Sequence, residues 1–269
     1  MSSDQLNALC DDLEAECEDL DGLVARLPAE AWELPTPAVG WSITDQIHHL
    51  AFFDGRGVLA VEDPEAFVAW RDAIAVDPAE FEQRQAKAAR LESDGLLAAW
   101  RAGRQRLLAT FRSIDPSARV PWHGPPMAAA SFVTARLMET WAHGTDVADT
   151  LGVFREPTTR LRHIARLGVR TLPYSYLIHG KATPDREVRV ELRAPDGSAW
   201  AWGPEAASDR LEGPALDFCL VVTQRRNIAD TDLVATGRVA TEWVSIAQAF
   251  AGPPGSGRPP RGANEGAAP

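Results

Sequence analysis

Residues 136–152 read RLMETWAHGTDVADTLG. Apolar residues recur here at steps of three and four, which predicts a helix opening at Ser131 and running to about Leu151. Glu139, His143 and Asp146 follow one another at steps of four and three, so a helix sets them on one stripe. A carboxylate oxygen and a neutral imidazole nitrogen one turn apart are ordinary donors to a divalent cation such as zinc. The same spacing also suits a solvated face on which a Glu–His pair adds about 0.2–0.5 kcal/mol. Spacing alone leaves both readings open.

Upstream, GWSITDQIHHLAFFD occupies residues 40–54. Ser42 has the character of an N-cap and Asp45, three residues on, is a weaker form of the capping-box partner. The helix they open carries His48 and His49, which project about 100° apart, so one face presents only one of them. His49 borders the apolar face formed by Ile43, Ile47 and Leu50, where a side chain can point between helices. One donor from this helix and two from the later one make three protein ligands with open positions, the arrangement of catalytic zinc. A surface or satisfied core role for the two histidines remains the alternative. No Cys-x-x-C pair occurs, so a thiolate site has no support.

Around these two helices the chain divides by texture. Residues 4–27, 64–76, 78–114 and 158–177 carry helical periods, and 115–129 (DPSARVPWHGPPMAA) reads as a loop, with no strand expected before about residue 180. Near residue 181 the pattern changes. EVRVEL (187–192) alternates like a strand, Asp196-Gly197 signals a hairpin turn, and SAWAW resumes the alternation. LEGPALDFCLVVTQRRN (211–227) reads as a helix, LVATG as a short strand and VATEWVSIAQAFAG as a last helix. The expected organisation is a helical bundle over 1–180, a small α/β unit over 181–251 and a Gly/Pro/Ala-rich tail over 252–269 that composition predicts to be disordered.

The bulk numbers exclude some functions. With 269 residues, 45% hydrophobic, the chain can bury a sizeable core. A net charge of -11 disfavours non-specific binding to nucleic acid or anionic lipid. No apolar run approaches a membrane span, and the acidic start lacks the features of a signal peptide, so a cytoplasmic location is expected. The three cysteines, Cys10, Cys17 and Cys219, give no disulfide framework and read as small buried hydrophobes.

The segments GWSITDQIHHLAFFD and ARLMETWAHGTDVADTLG resemble the metal-binding bundle of the mycothiol-dependent maleylpyruvate isomerase family, a branch of the DinB-like superfamily. The resemblance covers about 1–180. It implies a His followed by Leu as first ligand, here His49, and a Glu-x-x-x-His pair, here Glu139 and His143, with Gly144 and Asp146 matching the Gly-x-Asp that usually follows. The C-terminal unit resembles the small sterol-carrier-like domain that follows the bundle in the isomerase. The stretch around 211–227 is also similar to a short domain named for wyosine base formation. The implied fold is therefore an α plus small α/β one, a DinB-like antiparallel helical bundle followed by a sterol-carrier-like α+β unit.

What the resemblance implies about function is a zinc or other divalent ion, a low-molecular-weight thiol such as mycothiol as cosubstrate, and isomerisation or S-transfer on a small electrophilic substrate. A non-catalytic metal- or ligand-binding module and a metal-free interaction protein are the rival readings. Asp146 is a candidate to accept the second ring N–H of a ligand histidine, or else a cap or surface residue. Trp122, His123 and Met127, just before the ligand helix, are candidates for the pocket mouth, and Arg136 and Arg226 for an anionic substrate group. Packing, helix-surface and helix-dipole roles compete for these five. A monomer or homodimer is expected, with no nucleic-acid or membrane partner.

Overall fold

The computed structural model describes residues 1–76 and 93–262. The chain forms two compact units, Met1–Arg155 and Glu156–Pro269.

In the first unit α1 (Ser3–Val24) starts at a capping box in which the Ser2 hydroxyl accepts from Gln5 N while the Gln5 amide accepts from Ser2 N. A 3-10 turn over Ala29–Glu33 buries Trp32. Next come α2 (Ile43–Glu62), α3 (Pro64–Val76), α4 (Ser93–Ser113) and α5 (Ala129–Leu151). The expected Ser42–Asp45 box opens α2, with Ser42 N donating to Asp45 Oδ2 at 2.7 Å. α2 packs on α4 and α5, and α1 packs on the same two helices, which closes a bundle of four long helices. Its core joins Leu6, Leu13 and Leu20 of α1 to Ile47 and Leu50 of α2, Trp100 and Phe111 of α4, and Phe132 and Leu137 of α5. Burial of this many large apolar side chains is the main force holding the unit.

Several details differ from expectation. The loop 115–129 contains a minimal hairpin, β1 (Arg119–Val120) against β2 (Met127–Ala128), so a strand does precede residue 180. Two paired residues are too short to leave an alternating pattern in the sequence. The helix assigned from Ser131 begins two residues earlier, at Ala129. Of the helix expected over 78–114, the part before Ser93 lies outside the described residues.

The second unit begins with α6 (Leu161–Arg170) and α7 (Leu172–Ile178) where one helix was expected. Pro173 stands in the first turn of α7 and lacks the N–H that would continue a ladder. The sheet follows, with strand order β4-β3-β5-β6. β3 (Val188–Arg193) and β4 (Ala199–Trp202) form the antiparallel hairpin predicted at Asp196-Gly197, where Gly197 has a φ of 82°. β5 (Asp209–Pro214) runs parallel to β3, and β6 (Val234–Thr236) antiparallel to β5. The stretch 211–227 read as one helix is thus strand to Pro214 and helix only over α8 (Ala215–Val222).

α6 packs on α8, and α9 (Arg238–Ile246) on α7, β5 and β6. That packing is why the division falls after Arg155, whereas sequence texture placed it near 181. α6 and α8 approach so closely that a Cβ at Gly168 would lie 2.8 Å from Val222 Cγ2. Asp209 caps α9, its Oδ1 accepting from Val239 N at 2.6 Å and Ala240 N at 3.2 Å. Where composition predicts a disordered tail, backbone atoms of 252–261 are bonded to the unit. Gly255 N donates to Gln248, the Arg258 carbonyl accepts from Asn227, and Arg261 N donates to Asp230. Residues 263–269 lie outside the described residues.

Candidate metal centre

α5 packs on α1 and α2, and every residue from Ala129 to Ala148 is wholly or partly withdrawn from solvent. Its polar stripe goes with it: Arg136 is 4% exposed, His143 7% and Asp146 0%. α2 faces that stripe with His49. The two helices bring His49, Glu139 and His143 together so that one donor atom of each lies within 4.8 Å of the others. Glu139 Oε2 is 3.2 Å from His143 Nε2 and 3.6 Å from His49 Nε2. The side chains of Glu139 and His49 are 23% and 24% exposed, so the cluster has a solvent side.

Donors held about 2.0–2.2 Å from one tetrahedral zinc stand about 3.4 Å apart, and the two Glu139 distances bracket that spacing. Two imidazoles and one carboxylate are also the right donor chemistry for zinc. The residues therefore fit the ion that the sequence suggests. Burial pushes the Glu139 carboxyl up, but hydrogen bonds from His143 and then His49 outweigh it and hold the group well below the usual carboxylate range. Glu139 is thus anionic, poised to meet a cation. His48, the neighbour not chosen, is not part of the cluster, and its ring centroid lies 6.4 Å from that of Phe52. Burial lowers its pKa.

Trp41, on the loop before α2, covers the imidazoles. Its ring stacks on His143 at 5.7 Å and 23°, and lies 5.4 Å from His49. Phe53 sits 4.7 Å from the His49 ring and leads to Trp122 at 6.1 Å and His123 at 6.0 Å. Two of the expected pocket-mouth residues therefore join an aromatic wall that starts at the cluster. Trp122 is also a packing residue, stacked on Phe67 at 5.2 Å and 7°. Burial lowers the His123 pKa, helped by the Arg71 charge. Met127 sits in β2 opposite Val120.

Arg136 and Asp146 both lie in the buried stripe of α5. Arg136 pairs with Asp54 at 2.9 Å, both 5% exposed, and reaches the Leu50 carbonyl, so its charge is spent inside the bundle. The Nδ1 of His143 is bonded to Gln46. Gln46 was missed because an amide three residues before a histidine carries no spacing signal of its own. Gly144 has a clear local reason: a Cβ there would lie 2.9 Å from Arg155 Nη1, and Arg155 pairs with the buried Glu16. Arg226 belongs to the second unit, donating to the Arg225 carbonyl at 2.7 Å.

The chain is similar to known proteins in sequence and in fold. The family described as "Mycothiol maleylpyruvate isomerase N-terminal domain" matches residues 13–148, and "Wyosine base formation" matches 184–236. Two curated relatives, uncharacterized proteins of Mycobacterium tuberculosis strains CDC 1551 and H37Rv, are each 49% identical over 248 residues, covering 92% of this chain and 96% of theirs. A crystal structure of the mycothiol-dependent maleylpyruvate isomerase aligns with a TM-score of 0.58 at 15% identity, over 87% of this chain and 93% of that one. A mutant of that enzyme aligns with a TM-score of 0.59 at 14% identity and the same coverage. At such identities the likeness is one of fold.

Proposed function

Because the chain belongs to the mycothiol maleylpyruvate isomerase N-terminal domain family, we propose that it is a zinc enzyme that uses a low-molecular-weight thiol, of the mycothiol type, to isomerise or S-conjugate a small electrophile. The observation that carries the reading is the convergence of His49, Glu139 and His143 on one partly open point. Zinc bound by three protein donors supplies the Lewis acidity that lets a thiol ionise at neutral pH.

The chain's own thiols cannot take that role. Cys10, Cys17 and Cys219 are buried, and burial pushes each thiol well above its ordinary value, to about 11 for Cys10. A buried protonated thiol is a poor nucleophile, so the sulfur must come from solution. Trp41 shields one side of the cluster from water, and Phe53, Trp122 and His123 give an apolar wall for the carbon skeleton of a substrate. Met127 remains a candidate for a further substrate contact. Free cysteines suit a reducing compartment, and no helix among the described residues is long and apolar enough to cross a membrane. A cytoplasmic location is part of this reading.

The test is a conjugation and isomerisation assay with zinc-loaded protein, mycothiol and small unsaturated carbonyl compounds. Turnover that requires both zinc and thiol and is lost in His49→Ala supports the reading. Zinc uptake without turnover would leave a metal- or ligand-binding module instead.

A further inference from the structure

The ring nitrogen of His143 that faces away from Glu139, Nδ1, is hydrogen-bonded to Gln46 Oε1. Gln46 is 0% exposed. Its Nε2 lies 2.8 Å from Thr36 Oγ1, and Thr36 Oγ1 lies 2.9 Å from the carbonyl of Trp41. The direction of this chain follows from its last member. A carbonyl oxygen only accepts, so the single hydroxyl proton of Thr36 points at Trp41. Thr36 Oγ1 must then accept from Gln46, which turns the amide nitrogen of Gln46 to Thr36 and its oxygen to His143. That oxygen accepts in turn, so neutral His143 carries its proton on Nδ1. Nε2, 3.2 Å from Glu139, donates to that carboxylate only in the doubly protonated ring; in the neutral ring it carries the lone pair that a divalent ion would take up.

The chain is anchored at both ends. Thr36 N donates to the same Trp41 carbonyl at 2.7 Å, and Pro35 bridges to Ser42, so residues 35–42 form a closed loop at the start of α2. Trp41 therefore acts twice, its carbonyl ending the chain while its indole stacks on the His143 ring. Gln46 stands three residues before His49 on α2. One helix thus supplies one candidate donor directly and orients another.

We propose that the Trp41–Thr36–Gln46 chain is a positioning device that holds His143 as the Nδ1–H tautomer and so sets the affinity of the site for a divalent ion. The inference rests on reading His49, Glu139 and His143 as metal ligands. Ring nitrogens that bind metal are commonly oriented by a hydrogen bond on the opposite nitrogen, and removing such a partner costs about 10–100-fold in affinity. Free histidine side chains in water favour the other tautomer, Nε2–H, so an imposed Nδ1–H form is diagnostic.

Two measurements test this on the full chain. Nitrogen-15 NMR of the imidazoles in zinc-free protein above pH 8 reads the tautomer of His143. Competition with a chromogenic chelator reads zinc affinity. Wild type is expected to show Nδ1–H. Gln46→Leu is expected to shift His143 toward Nε2–H and to weaken zinc about 10–100-fold, whereas Gln46→Glu, which keeps an acceptor, retains both tautomer and tight binding. If Gln46→Leu does not fold, the wild-type tautomer and Gln46→Glu still decide the matter. An Nε2–H His143 in wild type, or unchanged tautomer and affinity in folded Gln46→Leu, overturns the proposal. An Nδ1–H form in protein that takes up no zinc supports the hydrogen-bond chain and overturns the metal reading.

Discussion

The guanidinium of Arg136 lies 2.9 Å from the carboxylate of Asp54, a contact between α5 and α2 in which both side chains are 5% exposed. Burial pushes the Asp54 carboxyl up and Arg136 pulls it back, with burial prevailing. Asp54 therefore depends on its partner. Arg136→Leu strands a buried acid and is expected to cost about 3–5 kcal/mol in urea unfolding. Replacing both residues by Leu is expected to regain most of that loss. A single variant within about 1 kcal/mol of wild type would show that the pair does not hold these helices together.

Gly57 lets α2 close on its neighbours. A Cβ there would lie 2.8 Å from both Leu107 Cδ1 and Phe132 Cζ, and Phe132 is itself stacked on Phe111 at 4.7 Å. Alanine in a helix interior gains about 1 kcal/mol over glycine. Overpacking costs about 1–3 kcal/mol. Because the Phe132 ring has little room to yield, Gly57→Ala is expected to be net destabilising in thermal unfolding. A raised Tm would refute the packing argument.

Asp21 ties α1 to α4 through Arg101, at 2.6 Å and 2.8 Å, and through Arg104 at 2.8 Å. The hydrogen bond from Arg101 is the largest cause that lowers the Asp21 pKa below its ordinary 3.8. An acid whose folded pKa is depressed contributes stability above its unfolded value, and that stability is lost as pH falls through the folded pKa. With Arg101 44% exposed, solvent screening keeps the contribution to about 1 kcal/mol. Asp21→Asn is expected to show that deficit at pH 7 and to lose it below 3.8. A deficit that does not change with pH would rule out the ion pair as its source.

The parts of this fold legible in the sequence are those with local causes. The Ser42–Asp45 cap, the Asp196-Gly197 hairpin and the long helical periods all depend on residues a few positions apart. β5 was missed because it is defined by parallel pairing with β3, a non-local contact, and its sequence DRLEGP has charges and a Gly-Pro end that argue against a strand. At the candidate site, spacing put Glu139 and His143 on one stripe but left a solvated face equally open, and it was the family resemblance that named His49, Glu139 and His143 as a ligand set. The buried pairing of Arg136 was not legible because nothing local marks its partner Asp54, 82 residues away. Gln46 was invisible for the same reason, since its meaning comes from His143, 97 residues on.

The choice between adjacent histidines is directly testable. His49 Nε2 is 3.6 Å from Glu139, while His48 is not among the three clustered residues. His48→Ala is expected to keep zinc binding, and His49→Ala to lose it. Chelator competition on the two variants checks this, and the opposite pattern would move the site.

The most direct measurement is the metal content of protein purified without a histidine tag and dialysed against trace zinc, read by elemental mass spectrometry beside Glu139→Ala. The donor distances of 3.2 Å and 3.6 Å about one carboxylate oxygen predict one ion per chain in wild type. Loss of the carboxylate leaves two imidazoles, so Glu139→Ala is expected to hold the ion weakly and lose it on dialysis. Protein that stays metal-free, or that carries equal zinc with and without Glu139, would contradict a centre built from His49, Glu139 and His143.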